Sequence, residues 1–155
     1  MKIEVWNDNK ILRTVSSEIK MSEYKKYVKL GNEMIKYIKN PKHGWVWLAA
    51  PQVWYNKRLI VVSLIRDWEA EESFKTIMMM NPVIVDHSES TNSDTEGCLS
   101  VPGKKGKVSR YDNIKLIYMD EKWQEKTLIL DSLRARIVQH EIDHLDWILF
   151  TDKLV

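Results

Sequence analysis

The chain predicts an α+β fold: mixed or antiparallel β-sheets packed around a C-terminal metal-binding helix, with a second helix near the N-terminus. Three observations lead there. Apolar residues recur at helical spacing after Ser22, β-branched and apolar runs fill the middle, and a capped apolar stripe near the end carries two histidines four positions apart.

Up to Lys20 the apolar residues (Ile3, Val5, Ile11, Leu12, Val15, Ile19) follow no period. From Ser22 the spacing of Tyr24, Val28, Met34, Ile35 and Ile38 predicts a helix, which Asn40-Pro41 stops. The lysine-rich run from Lys25 to Lys39 reads as the solvated face of that helix. Gly44 to Gln52 is apolar and alanine-containing but makes no clean helix. Strands are expected at Leu59 to Ile65, Thr76 to Val85, Ile114 to Met119 and Thr127 to Leu130, each bounded by charged or turn residues. The polar stretch His87 to Asp94 and the cluster Lys104-Lys105-Gly106-Lys107 read as loops. Ser132 is the expected N-cap of the last helix, whose stripe of Leu133, Ile137, Val138, Ile142 and Leu145 would bury it against the sheet.

With 155 residues the chain fits one domain, residues 1–155, large enough for a core without disulfides. Hydrophobic residues make up 44% and charged ones 30%, and a net charge of +2 asks for neither nucleic acid nor an anionic membrane. No run approaches the roughly 18–20 apolar residues of a membrane span. No apolar signal region follows the start either, so a cytoplasmic location is expected. Cys98 is the one cysteine, which excludes an intrachain disulfide and fits a reducing compartment.

The chemistry begins at His140-Glu141-Ile142-Asp143-His144. Residues i and i+4 share a helix face, so both histidines can grip one cation, while Glu141 lies beside it and can take a proton from bound water. A third ligand is needed. Asp146 and Asp152 follow the helix but sit in no ligand motif. Cys98 offers a soft thiolate, and two histidines with one cysteine leave a position open, as catalytic sites do. The competing reading makes Cys98 a nucleophile with a histidine base, which leaves the paired histidines without a reason.

Three separated segments together resemble the peptide deformylase family: Leu48-Ala49-Ala50-Pro51-Gln52, Glu96-Gly97-Cys98-Leu99-Ser100 and His140 to His144. Asn81-Pro82, Val101-Pro102-Gly103 and Arg136 extend the likeness, which runs from about Ile11 to Leu154 and is closest to the shorter members without a C-terminal extension. The resemblance implies removal of the formyl group from the N-terminal formyl-methionine of nascent polypeptides, by a metal-bound hydroxide with Glu141 as general base and acid. Cys98, His140 and His144 would hold one divalent metal, typically Fe(II), with Ni(II), Co(II) or Zn(II) able to substitute. The Gln52 amide and the Leu99 N–H would stabilise the oxyanion. Glu96 would orient the site through hydrogen bonds, with Arg110 as its partner. Trp45, Val46, Trp47 and Gly97 would border the peptide. It further implies a monomer in a bacterial-type or organellar translation compartment, or in an infected bacterial host. Passing ribosome proximity is expected, with no direct nucleic-acid or membrane contact.

One departure stands out. Trp45 and Trp47 occupy two glycine positions of the first motif, and glycine is also expected at Trp54, Trp123 and Trp147. The chain has 5 glycines and 7 tryptophans. Indoles at 45 and 47 could narrow the cleft, so a catalytically weakened or silent relative that binds blocked N-termini is an alternative. A general HExxH metallopeptidase is another.

Overall fold

A computed structural model describes residues 1–5, 8–44, 47–65 and 74–155. Helix α1 spans Tyr24–Ile38, two residues later than Ser22, and carries Lys25, Lys26, Lys29 and Lys36 on its exposed side, with Lys39 as its exposed C-cap. Its buried side is Tyr27, Leu30, Gly31, Met34 and Ile38; Val28 and Ile35 are half-buried. β1 (Trp47–Ala49) leads into a 3-10 turn, Ala50–Val53. There follow β2 (Leu59–Ile65), β3 (Phe74–His87), β4 (Thr91–Cys98), β5 (Val101–Tyr111), β6 (Asn113–Met119), β7 (Glu125–Asp131) and α2 (Ser132–Leu145).

β1-β2-β3-β6-β7 form one antiparallel sheet, and β4 and β5 form a separate two-stranded ribbon. The large sheet separates two layers of core. In β2, Ile60, Val62 and Leu64 face α2, where Ile137, Val138, Ile142 and Leu145 meet them. Leu59 and Val61 point the other way, against Leu30, Met34 and Ile38 of α1. This period-two alternation lets one strand serve both layers. A third cluster, Cys98, Val101, Val108, Leu149 and Phe150, fastens the ribbon to the end of the chain.

Several expectations are corrected. Thr91–Asp94 belong to β4, so only Ser88–Ser90 turn the chain, and Lys104–Lys107 lie within β5. Backbone pairing between these strands, in register from Thr91↔Tyr111 to Gly97↔Lys105, supplies the order that side-chain periodicity does not announce. The N-cap of α2 is Asp131, with Ser132 its first residue, and Leu133 is exposed at the rim of the stripe. Asn81 forms a bulge in β3 with φ of 50°. Its side chain accepts from the Ile19 N–H at 2.8 Å and donates to the Ile19 carbonyl at 2.9 Å, tying the N-terminal segment to the sheet.

Candidate metal centre

α2 runs across the large sheet so that His140 and His144, one turn apart, face the end of β4. At that end the register jumps from Gly97↔Lys105 to Cys98↔Val101, and the tight reversal presents the Cys98 thiol to the helix. Ligand atoms of Cys98, His140 and His144 lie within 4.8 Å of one another, and all three residues are buried. Cys98 Sγ is 3.2 Å from His144 Nε2. His140 Nε2 has no hydrogen-bond partner. Buried polar atoms are nearly always satisfied, so a bare imidazole nitrogen beside a thiol and a second imidazole fits a soft-to-borderline divalent cation. Among the described residues this is the one His/Cys/Asp/Glu group of that kind.

The histidine orientation is set from behind. Glu96 accepts from His140 Nδ1 at 2.8 Å, which leaves Nε2 as the free donor of an electron pair. The same carboxylate takes two hydrogen bonds of 2.9 Å from Arg110 and one of 2.7 Å from Arg136. Burial pushes the Glu96 carboxyl up, but the hydrogen bonds from His140 and Arg110 overcome it and hold the group well below the usual carboxylate range. Arg110 also binds Asp143, which Lys153 reaches at 3.1 Å. Arg136 continues to the Val108 and Asn92 carbonyls, both at 2.8 Å, and so ties ribbon to helix.

Glu141 is 1% exposed and neither carboxylate oxygen has a partner; one of them lies 3.9 Å from His140 Nε2. Burial, with the Glu96 charge second, pushes its pKa well above the ordinary carboxyl value. Burial likewise raises the Cys98 thiol to about 12, helped by the Glu141 charge, and lowers His144. A cation held here would reverse the first two shifts.

Gln52 sits in the 3-10 turn, where its carbonyl oxygen accepts from Ala49 N–H at 2.9 Å. That contact fixes the amide, and Nε2 points at Ser100 Oγ (3.1 Å) and Cys98 Sγ (3.6 Å). Leu99, Trp47, Gln52, Cys98, His140 and Glu141 line one small cleft. Trp47 and Gly97 line its neighbour, about 100 Å³, against Leu133, Ile137 and His140. Trp45 and Val46 lie outside the described residues. Asp146 and Asp152, the rejected ligand candidates, are ion-paired to Arg58 and Arg13 instead. Sequence reading assigned no role to Arg136, Asp143 or Ser100. Arg136 precedes His140 by one helical turn and could have been found by that spacing; nothing comparable marks Asp143.

The likeness to known proteins is broad. The family model described as polypeptide deformylase matches residues 1–155. The peptide deformylase of Chlorobium phaeobacteroides is 38% identical over 154 residues, 99% of this chain and 80% of that protein. Those of Prochlorococcus marinus MIT 9312 and Chlorobaculum tepidum are 40% and 46% identical over 81% and 70% of this chain. The chain spans only about three-fifths of the length of these two curated relatives, 60% and 57%. Among solved structures, a probable peptide deformylase from Synechococcus phage S-SSM7 superimposes with a TM-score of 0.87 at 38% identity, covering 99% of both chains. The Met-Ala-Ser-bound class I type b peptide deformylase of Acinetobacter baumannii gives 0.87 at 27% identity, covering 99% of this chain and 98% of that one. A match along the whole sequence and the whole backbone, with the cysteine and both histidines meeting at one point, leaves a single assignment: the chain belongs to the peptide deformylase family.

Proposed function

We propose that residues 1–155 form one catalytic domain, a metal-dependent hydrolase that removes the formyl group from the N-terminal formyl-methionine of nascent polypeptides. The observation that carries this reading is the unpartnered Glu141 carboxylate, buried beside Cys98, His140 and His144. A buried carboxyl without partners is costly to keep and is what a proton-transfer group in a dry site looks like.

Cys98, His140 and His144 would hold one divalent metal, Fe(II) in our reading, with Ni(II), Co(II) or Zn(II) able to substitute. When bound, such an ion polarises the formyl oxygen and lowers the pKa of a water. Glu141, buried and unpartnered beside the three ligands, would take a proton from the attacking water and pass it to the departing amine. The Gln52 amide, held by Ala49, and the Leu99 N–H supply donors to the developing oxyanion. Glu96 and Arg110 keep His140 in its ligating orientation. Trp47 and Gly97 wall the cavity that would receive the methionine side chain, and Trp45 and Val46 would extend it. The enzyme would work as a monomer, in contact with emerging N-termini near the ribosome, in a bacterial-type or organellar translation compartment or an infected host.

A general metallopeptidase needs a ligand after the helix, and the two aspartates there are committed to arginines. A weakened relative is the better second reading, because the Trp47 indole lines both cavities at His140.

The test is deformylation of a formyl-Met-Ala-Ser peptide by protein loaded anaerobically with Fe(II) or Ni(II), with metal content measured in the same sample. Turnover abolished by a chelator supports the enzyme. A folded, metal-loaded protein without turnover overturns it in favour of the silent relative. Glu141→Ala should cost roughly 10²–10⁴-fold in rate while metal content holds.

A further inference from the structure

Three turns adopt a backbone conformation that suits tryptophan poorly. Trp54, Trp123 and Trp147 have φ of 76°, 59° and 60°. In this left-handed region Cβ crowds the following carbonyl oxygen, and only glycine enters it freely. Each of the three stands where a chain reversal requires it. Trp54 ends the 3-10 turn, and the Tyr55 N–H donates back across it to the Ala50 carbonyl at 3.1 Å. Trp147 follows the cap of α2, and the Ile148 N–H donates to the Asp143 carbonyl at 2.9 Å, the closure of a Schellman end with its usual glycine position at 147. Trp123 completes the turn between β6 and β7, its N–H donating to the Asp120 carbonyl at 2.9 Å.

Little compensates for the strain. Trp54 is 57% exposed and Trp147 52%; Trp123 has a ring contact with Tyr24 at 5.3 Å. Asn81, also left-handed, is a residue type that tolerates the region, and its side chain is doubly hydrogen-bonded to Ile19. Composition points the same way: 7 tryptophans against 5 glycines, where a chain of this length ordinarily holds about 7% glycine.

We infer that positions 54, 123 and 147 are glycine positions, and that the protein made in its own cell carries glycine there, encoded by UGA that this cell decodes as glycine. Two of these turns position the metal centre. Position 54 closes the turn that holds Gln52, and position 147 ends the helix just past His144. Glycine would set both without strain. Trp47, extended and paired with Val62, carries no such backbone signature. The inference rests on backbone geometry and stands whether or not the proposed activity does.

Two measurements test it. Trp54→Gly, Trp123→Gly and Trp147→Gly are compared with alanine at the same positions, in the full chain, by thermal unfolding without substrate. At 54 and 147 glycine is expected to raise the midpoint by about 2–4 °C each, and alanine, still left-handed, to fall short of glycine. At 123 the Tyr24 contact is lost in both variants, and the excess of glycine over alanine is the readout. Alanine equal to or better than glycine at 54 and 147 would overturn the backbone requirement. In the gene, UGA is expected at all three positions; UGG at any of them overturns the decoding.

Discussion

Glu96 and His140 meet at 2.8 Å through Oε2 and Nδ1, and that one hydrogen bond decides which nitrogen of His140 faces the thiol of Cys98. Glu96 is buried and also neutralises Arg110 and Arg136. Glu96→Gln keeps the shape and loses the charge, so metal affinity should fall by roughly 10–100-fold. Glu96→Ala goes further: it leaves the buried Arg136 guanidinium without its counter-charge and Arg110 with Asp143 alone, a loss of about 3–5 kcal/mol in urea unfolding. Metal titration and denaturation on both variants separate these effects. Equal metal affinity in Glu96→Gln would mean that the carboxylate serves the arginines alone.

Metal uptake should be strongly pH-dependent, with a definite sign. In the metal-free chain burial holds the Cys98 thiol up at about 12 and pushes His144 well below its ordinary value, so at neutral pH the thiol is protonated and that imidazole neutral. Binding through sulfur must therefore expel the Cys98 proton. Affinity should rise by about tenfold per pH unit for each proton released and weaken as pH falls. Indicator-dye measurement of protons released per Ni(II) bound checks this. No release at pH 7 would remove Cys98 from the ligand set, as would unchanged metal stoichiometry in Cys98→Ala.

What was legible in the sequence was what chemistry constrains at fixed spacing. The i, i+4 histidines could be placed on one helix face because helix geometry leaves no other arrangement, and the α1 and α2 stripes were visible because each buries one side. The β4–β5 ribbon was not visible. In β4 only Glu96 and Cys98 are buried, so the strand carries no apolar alternation, and a lysine-rich strand such as β5 reads as a loop. Its order comes from backbone pairing and from Arg136 reaching across to Asn92 and Val108, contacts far apart in sequence. The left-handed turns at Trp54, Trp123 and Trp147 fall where glycine was expected, a backbone property that the residue written there conceals.

Trp47 offers a separate test of access to the site. Its indole is half-buried, packs on the core beneath α2 and lines both cavities at His140. Trp47→Gly should lower stability by less than the 3–5 kcal/mol typical of a fully buried Trp→Ala change. It should also raise kcat/KM for formylated peptides, chiefly through KM, because the proposed ligands and Glu141 are untouched. An unchanged KM would mean that peptide enters by a path that the indole does not border.

Phe150 links the end of the chain to both Cys98 and His140. It is 1% exposed, packs with Cys98, Val101, Val108 and Leu149, and its ring lies nearly parallel to that of His140 at 6.4 Å. Phe150→Ala should cost about 3–5 kcal/mol by transfer and cavity terms. The same void opens behind Cys98 and His140, so two proposed ligands on separate elements lose a common wall, and metal affinity should fall along with stability. Phe150→Leu refills most of the volume and should recover most of both. Stability and metal affinity measured on the two variants decide whether this packing positions the ligands: if stability falls while affinity holds, the hydrogen bonds from Glu96 and Arg110 orient the site without it.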